Sequence, residues 1–308
     1  MQSEEREPRS IHRVAVIGAG TMGAQIAALA ACGGREVRLY DALPDAVVRA
    51  RGRIAQEIAS AIVASGLVAG IRERAGAALT FPATLAEAVE GADLVIEAVK
   101  EDVDVKRGVF AELSRLAPDA ILATNSSSIP SALIAPAVDR PERLLNMHFF
   151  APIWVRSMLE LMGCGETSDA AMSAAGDFGR SLGLVTASVN GQSKGFILNR
   201  IWRAVKRESL RVVDEGIAGP EDIDRLWMMF FQTGYAPFGV MDMVGLDVVR
   251  DIETSYQRES ADPSDTPSAT LARMLADGRL GEKSGRGFYS HPNPRYADAD
   301  FLMQPKGD

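Results

Sequence analysis

Cysteine and histidine are scarce in this 308-residue chain. It contains two cysteines, Cys32 and Cys164, and three histidines, His12, His148 and His291. The cysteines are too few and too far apart for a disulfide framework, and none of these residues has metal-ligand spacing. The sequence therefore predicts no metal site.

Long apolar runs and an excess of positive charge are also lacking. No segment approaches the roughly 18 apolar residues of a membrane span. The N-terminal MQSEEREPRS has no apolar core of the kind that a secretory signal needs. The net charge is −8, whereas a nucleic-acid binder needs a basic surface to displace phosphate counterions. We therefore expect a cytoplasmic protein that binds neither membrane nor nucleic acid.

The first half of the chain alternates apolar runs with amphipathic stretches, which is typical of a parallel sheet with crossover helices. Between the second and third predicted strands lie some 35 residues that predict an inserted pair of helices. The predicted strands lie at about 13–17, 36–40, 78–81, 93–98, 120–124 and 143–148, and SMLELMG and LVTASVN extend the sheet.

Long helical segments replace this pattern from Ser193 onward. GFILNRIWRAVKRESLRVVDEG predicts an amphipathic helix that stops at Gly216, and GPEDIDRLWMMFFQTG starts with Pro220 and an acidic first turn. The predicted fold class is therefore α/β. Residues 1–192 form a Rossmann-type, doubly wound, mostly parallel sheet with the inserted helix pair, and residues 193–308 form a helical C-terminal domain.

A glycine motif links the first predicted strand to the first helix. VAVIGAGTMGAQIAALAACGG places Gly18, Gly20 and Gly23 in G-x-G-x-x-G spacing, and EVRLYD ends in Asp41, 18 residues after Gly23. Gly18 permits a tight turn, Gly20 lets the backbone approach a pyrophosphate, and Gly23 lets helix and strand pack closely. The N–H groups at the helix N-terminus favour that pyrophosphate.

Asp41 indicates which dinucleotide binds. Its carboxylate would accept hydrogen bonds from both ribose hydroxyls and repel a 2′-phosphate, which favours NAD over NADP. Thr21 and Met22, within the motif, are assigned to the cofactor as well. The alternative to a dinucleotide-binding motif is a glycine turn of the same spacing in an unrelated α/β protein.

Seven further segments, in order, resemble motifs of the 3-hydroxyacyl-CoA dehydrogenase family, over about residues 13–289. They are VIEAVKEDVDVK, TNSSSIP, HFFAP, GFILNR, DEGIAGPEDID, DMVGLD and GEKSGRGFY. The resemblance implies an NAD-dependent oxidoreductase that interconverts 3-hydroxyacyl and 3-oxoacyl thioesters of short-chain acyl-CoA. It also implies a second domain that contacts the substrate and forms a homodimer.

The resemblance assigns roles to individual residues. His148 matches the catalytic histidine, and Glu160 matches its acidic partner at the family's spacing. Ser127 and Asn199 match residues that contact the reacting oxygen. Three further residues are assigned to the cofactor: Glu101, Lys106 and Asn125.

The chemistry of alcohol oxidation favours this set independently. A hydride must leave carbon and a proton must leave oxygen, and imidazole, with an ordinary pKa of about 6.5, suits the proton transfer. A carboxylate on its other nitrogen would fix the tautomer, provided that the two strands turn back on each other. The plainer alternatives are a buried structural histidine at 148, a strand-edge acid at 160, turn or cap roles for Ser127 and Asn199, and a solvated charge at Lys106.

Other features leave the substrate open. Arg49, Arg51 and Arg53 lie in the inserted helix pair, where the family binds the CoA nucleotide, although a run of charges on a surface helix is the favoured explanation. Ala151 stands where the family has asparagine, and the segment 234–242 is about two residues short. These departures are compatible with another acyl group, with a substrate tethered to an acyl carrier protein, or with a free hydroxy acid. The competing class is a non-catalytic structural protein of the crystallin kind.

Overall fold

The computed structural model describes residues 10–65, 71–260, 262 and 265–303. The chain divides into two compact units, with the division between Ile197 and Leu198. No helix in the described part of the chain combines the length and apolar character needed to cross a membrane.

The first unit contains an eight-stranded sheet in the order β3-β2-β1-β4-β5-β6-β7-β8. All neighbouring strands are parallel except β6 and β7, which are antiparallel. The predicted α/β fold class is therefore confirmed. The strands are β1 Arg13–Ile17, β2 Glu36–Tyr40, β3 Leu79–Thr80, β4 Leu94–Glu97, β5 Ile121–Thr124, β6 Leu144–Phe149, β7 Met158–Gly163 and β8 Val185–Val189.

Helices cover both faces of this sheet. Alternate residues of β1 join different cores, since Val14 and Val16 pack into one hydrophobic cluster and Ala15 and Ile17 into another. A strand buried on both faces must be apolar throughout, which explains the unbroken run VAVI. The helices of this unit are α1 Thr21–Cys32, α2 Pro44–Ser65, α3 Ile71–Ala77, α4 Leu85–Val89, α5 Val103–Leu116 and α6 Asp169–Ser181.

The second unit is helical and has a core of its own. Its helices are α7 Leu198–Asp214, α8 Pro220–Phe231, α9 Pro237–Val244, α10 Leu246–Gln257 and α11 Ala269–Ala276. Phe238 and Met241 of α9 pack in this core with residues from α7, α10 and α11. The apolar stripes of these helices recur at helical spacing, so their burial follows from the sequence pattern.

Two buried carboxylates attach the C-terminal segment to the second unit. Asp242 accepts hydrogen bonds from the backbone N–H of Phe288 and Tyr289, both at 2.8 Å, and contacts His291 Nε2 at 3.1 Å. Asp224 accepts a hydrogen bond from the Tyr289 hydroxyl at 2.8 Å, and burial raises the pKa of Asp224 to about 6. His291 is thus held in a structural network.

Candidate active site

The glycine motif forms the turn between β1 and α1. Gly18 has a φ of 107°, and a Cβ there would lie 2.6 Å from the carbonyl oxygen of Ala98. A Cβ at Gly23 would lie 1.8 Å from the Gly18 carbonyl oxygen, whereas nothing lies within 4 Å of a Cβ at Gly20. Close packing therefore requires glycine at 18 and 23. The open space at Gly20, beside the N-terminus of α1, fits an approaching pyrophosphate.

Asp41 lies directly after β2 and is oriented by backbone amides. Its Oδ2 accepts a hydrogen bond from Ala19 N at 2.8 Å, and its Oδ1 accepts one from Leu43 N at 2.9 Å. Each carboxylate oxygen has two lone pairs, so both oxygens retain the capacity to accept a second hydrogen bond. The carboxylate fits the ribose hydroxyls of NAD beside the glycine turn.

Lys106 is buried in an ion pair and is not a solvated helix charge. Its side chain is 1% exposed, and its Nζ contacts the two carboxylate oxygens of Glu97 at 2.8 and 3.0 Å. Glu97 ends the buried strand β4 and also accepts hydrogen bonds from Thr124 Oγ1 at 2.7 Å and Val99 N at 2.6 Å. Sequence reasoning missed Glu97, although a glutamate within the apolar run LVIEA is a signal that could have revealed it.

Glu101 lies beside the same ammonium group, 3.3 Å from Lys106 Nζ. It accepts hydrogen bonds from Ser126 Oγ at 2.5 Å and Ser128 Oγ at 2.6 Å. Burial alone would raise the pKa of Glu101, but these hydroxyls and the Lys106 charge outweigh it and lower the pKa below its usual value. Glu101 is therefore a fixed negative charge at neutral pH. Ser127, between the two serines, is exposed.

Asn125 connects the end of β5 to the end of β6. Its Oδ1 accepts a hydrogen bond from the backbone N–H of Phe149 at 3.0 Å. This bond fixes the residue that follows His148. In this structure Asn125 therefore orients the strand end, and its contact with the cofactor stays a prediction.

His148 and Glu160 face each other across the antiparallel pair β6 and β7, where they are register partners. The two side chains are buried, and His148 Nδ1 lies 3.0 Å from Glu160 Oε2. The other carboxylate oxygen, Oε1, accepts a hydrogen bond from Ile197 N at 3.1 Å. The imidazole ring also packs on Phe150 and Phe196, with centroid distances of 4.2 and 5.0 Å. The ring is therefore held in one orientation.

Several of the predicted residues line one cavity of about 420 Å³ in the first unit. His148 and Arg156 lie on its wall, and Arg156 was missed by the sequence reasoning. The predicted residues that also line it are Met22, Glu101, Lys106, Asn125 and Ser127. Glu160 lies against His148, and Asn199 lies in the first turn of α7, in the second unit. The cavity thus combines a histidine, a serine and Met22 of the glycine motif.

The inserted helix pair borders a second cavity, of about 500 Å³. Arg51 lines it with Ile54 and Phe81, and the Arg51 guanidinium lies 4.4 Å from the centroid of the Phe81 ring. Arg51 therefore packs on an aromatic face. Whether the three arginines bind a nucleotide stays a prediction. In the described part of the chain, no three His, Cys, Asp or Glu residues are grouped so that they could hold a metal ion.

Known proteins resemble both units. The model of the 3-hydroxyacyl-CoA dehydrogenase NAD-binding domain matches residues 13–192, and that of the family's C-terminal domain matches residues 195–291. A 3-hydroxybutyryl-CoA dehydrogenase of Mycobacterium tuberculosis is 36% identical over 285 residues, 92% of this chain and 99% of the relative.

Two further relatives show the range of this resemblance. The crystal structure of (S)-3-hydroxybutyryl-CoA dehydrogenase from Ralstonia eutropha matches with a TM-score of 0.85 at 32% identity, and the match covers 92% of this chain and 100% of that one. A 5-formyl-3-hydroxy-2-methylpyridine 4-carboxylate 5-dehydrogenase of Mesorhizobium japonicum is 31% identical over 287 residues, 91% of each chain.

Proposed function

The chain belongs to the 3-hydroxyacyl-CoA dehydrogenase family, and from this membership we propose an NAD-dependent interconversion of 3-hydroxyacyl and 3-oxoacyl thioesters. The thioester carrier is CoA, and the acyl chain is short. The observation that carries the proposal is the His148–Glu160 pair, with His148 on the wall of a cavity that Met22 of the glycine turn also lines.

The first unit supplies the residues that fit NAD, which when bound is the hydride acceptor for the reacting carbon. Gly20 leaves the N-terminus of α1 open, where the pyrophosphate would bind. Asp41, oriented by Ala19 N, would accept hydrogen bonds from the ribose. Thr21 and Met22 belong to the same turn. Four charged or polar groups near the cavity complete the cofactor site in this proposal: Glu101, Lys106, Asn125 and the Glu97 that holds Lys106.

His148 moves the proton. Its Nδ1 is engaged by Glu160, so Nε2 is the nitrogen that takes the proton from the substrate hydroxyl. The carboxylate fixes this tautomer and stabilises the imidazolium that forms. In the reverse direction the same nitrogen donates the proton to the new alkoxide oxygen.

Two residues bind the reacting oxygen in this proposal. Ser127 has an exposed hydroxyl on the cavity that His148 lines, so it can donate a hydrogen bond to that oxygen. For Asn199 the same role is proposed from the family resemblance alone. Donors aimed at the oxygen stabilise the charge that develops on it as the proton and hydride leave.

The helical second unit, which begins at Leu198, forms a homodimer in this proposal. Support for the dimer comes from α8, where Leu226, Met229 and Phe230 form one exposed apolar face. Contiguous exposed apolar surface on a folded chain marks an interaction site. The scarcity of cysteine supports the cytoplasm as the location of the enzyme.

An assay with 3-hydroxybutyryl-CoA and NAD tests the proposed function. Reduced nicotinamide, followed by its absorbance, should form with the wild-type chain, and His148→Gln should lower kcat by about 10²-fold or more. His12→Gln is the matched control, because His12 is exposed, lies outside the cavity and has its ring nitrogen Nε2 against the Ser10 hydroxyl. Equal rates for His148→Gln and the wild type would contradict the role of His148.

The same assay separates the alternative substrates. The relatives named for 3-hydroxybutyryl-CoA cover nearly the whole chain, which supports CoA as the carrier. The relative from Mesorhizobium japonicum is named for a pyridine carboxylate, which keeps a free hydroxy acid as the second candidate. Faster turnover of free 3-hydroxybutyrate, or of 3-hydroxybutyryl-acyl carrier protein, than of the CoA thioester would overturn the choice of carrier.

A further inference from the structure

The cavity that His148 lines has a second cationic side chain besides Lys106. Arg156 lies in the connection between β6 and β7, and its exposed guanidinium borders the cavity. Nη1 donates a hydrogen bond of 2.5 Å to the carbonyl oxygen of Ala151, three residues after His148. This bond holds the arginine against the segment that follows the histidine.

The two cations differ in their partners. The Lys106 ammonium is neutralised by Glu97 and Glu101. Arg156, by contrast, has no carboxylate of its own unit within ion-pair distance among the residues that the structure describes. A guanidinium has five N–H donors, and Ala151 takes one. Because a bound substrate displaces water from the cavity, the Arg156 charge then needs a new partner.

The chemistry of the cavity narrows the choice of that partner. The planar fork of a guanidinium matches the two oxygens of a carboxylate. The phosphates of CoA are also anionic, but they lie many bonds from the thioester, at the opposite end of the CoA arm. Three residues that lie between His148 and Arg156 in sequence also line the cavity: Phe149, Phe150 and Ala151. Their side chains offer apolar contact to the methylene groups of an acyl chain.

We propose that Arg156 binds a carboxylate at the far end of the acyl chain, so that the preferred substrate is a short 3-hydroxyacyl thioester of a dicarboxylic acid. This inference rests on the proposed function and specifies its substrate. Ala151 leaves the edge of the cavity without a polar side chain at that position, and the polar group there is the guanidinium that the Ala151 carbonyl holds.

A matched pair of thioesters tests the assignment. 3-Hydroxyadipyl-CoA and 3-hydroxyhexanoyl-CoA have the same number of acyl carbons and differ in the terminal group, a carboxylate or a methyl. The quantity measured is the ratio of kcat/KM for the carboxylate substrate to kcat/KM for the methyl substrate. We expect a ratio above about ten for the wild type, and Arg156→Met should lower it by roughly 10- to 100-fold.

The control is Arg115→Met, which removes the same charge from an exposed position on α5 and should leave the ratio unchanged. Arg156→Lys should keep part of the preference, because it retains charge without the fork. If both thioesters are turned over and the ratio of their kcat/KM values is the same in wild type and Arg156→Met, this inference is wrong and the proposed function is unaffected. Absence of turnover with either thioester would overturn the proposed function and this inference with it.

Discussion

His148, Lys106 and Arg156 line the same cavity, but each is surrounded differently. The imidazole faces one carboxylate, the buried ammonium contacts two, and the exposed guanidinium bonds to a carbonyl oxygen. Since a buried charge is costly unless it is paired, the contact with Glu97 offsets the cost of burying the Lys106 side chain, which is 1% exposed. At the scale of residues, partners determine whether a group exchanges a proton, holds a fixed charge or binds an anion.

Asp41 gives a prediction at this scale. Asp41→Asn keeps an acceptor oxygen for one of the two backbone N–H groups that orient the side chain, and it removes the negative charge. We expect the dissociation constant of NAD to rise about tenfold, because hydrogen bonds to a charged acceptor are stronger than those to an amide. The preference for NAD over NADP should fall as well, because the repulsion of the 2′-phosphate is lost.

Isothermal titration with NAD and with NADP measures both effects without turnover. Asp139→Asn is the control, since Asp139 is exposed and lies outside the glycine turn. An unaltered NAD affinity in Asp41→Asn would count against the assignment of the cofactor site.

At the scale of elements, α1 and α2 each contain a glycine, but only one of the two positions requires a residue without a side chain. Gly23 in α1 lies so close to the preceding turn that its Cβ would be 1.8 Å from the Gly18 carbonyl oxygen. Gly52 in α2 has nothing within 4 Å of its Cβ position and is exposed. The first glycine is required by the packing of the helix on the preceding turn, whereas the second only lowers helix propensity.

Alanine substitutions at Gly23 and Gly52 should change the stability of the protein in opposite directions. Gly23→Ala should lower the free energy of unfolding by about 3 kcal/mol or more, because the backbone of the turn must move. Gly52→Ala should raise it by about 0.5–1 kcal/mol, because alanine loses less backbone entropy in a helix. Urea unfolding followed by circular dichroism measures both. A Gly23→Ala protein as stable as wild type would show that the turn does not pack as described.

At the scale of the whole molecule, α8 has apolar residues on its exposed face as well as on its buried face. Met228 is buried, whereas Phe230 on the opposite face is 80% exposed and contacts Phe231 edge-on with a centroid distance of 4.9 Å. An exposed aromatic cluster of this kind is typical of the centre of a protein interface. The proposed homodimer would remove this surface from water.

Phe230→Glu should therefore weaken the dimer by roughly 2 kcal/mol or more, since it would place a charge in a desolvated contact. Sedimentation velocity over a range of concentrations measures the change. Val185→Glu is the control, because Val185 is 74% exposed in the first unit, on the edge strand β8. A wild-type chain that sediments as a monomer would contradict the proposed dimer, and an unaffected Phe230→Glu dimer would place the interface elsewhere.

The sequence by itself determined the fold class, because the features behind it are local. Apolar runs, helix starts and glycines at fixed spacing act over a few residues, so strands such as β1 and β2 lie where the pattern predicts them. The glycine motif and Asp41 were identified for the same reason. Family motifs then indicated His148 and Glu160 as a pair.

Only the tertiary structure decided which groups meet. His148 and Glu160 are twelve residues apart, and the antiparallel register of β6 on β7 brings their side chains to 3.0 Å. The apolar run around Glu97 marks it as a buried acid, but its pairing with Lys106 follows no spacing rule in the sequence. The position of Arg156 on the wall of the same cavity follows none either. Contacts between distant residues depend on strand order and side-chain direction, which the folded backbone sets.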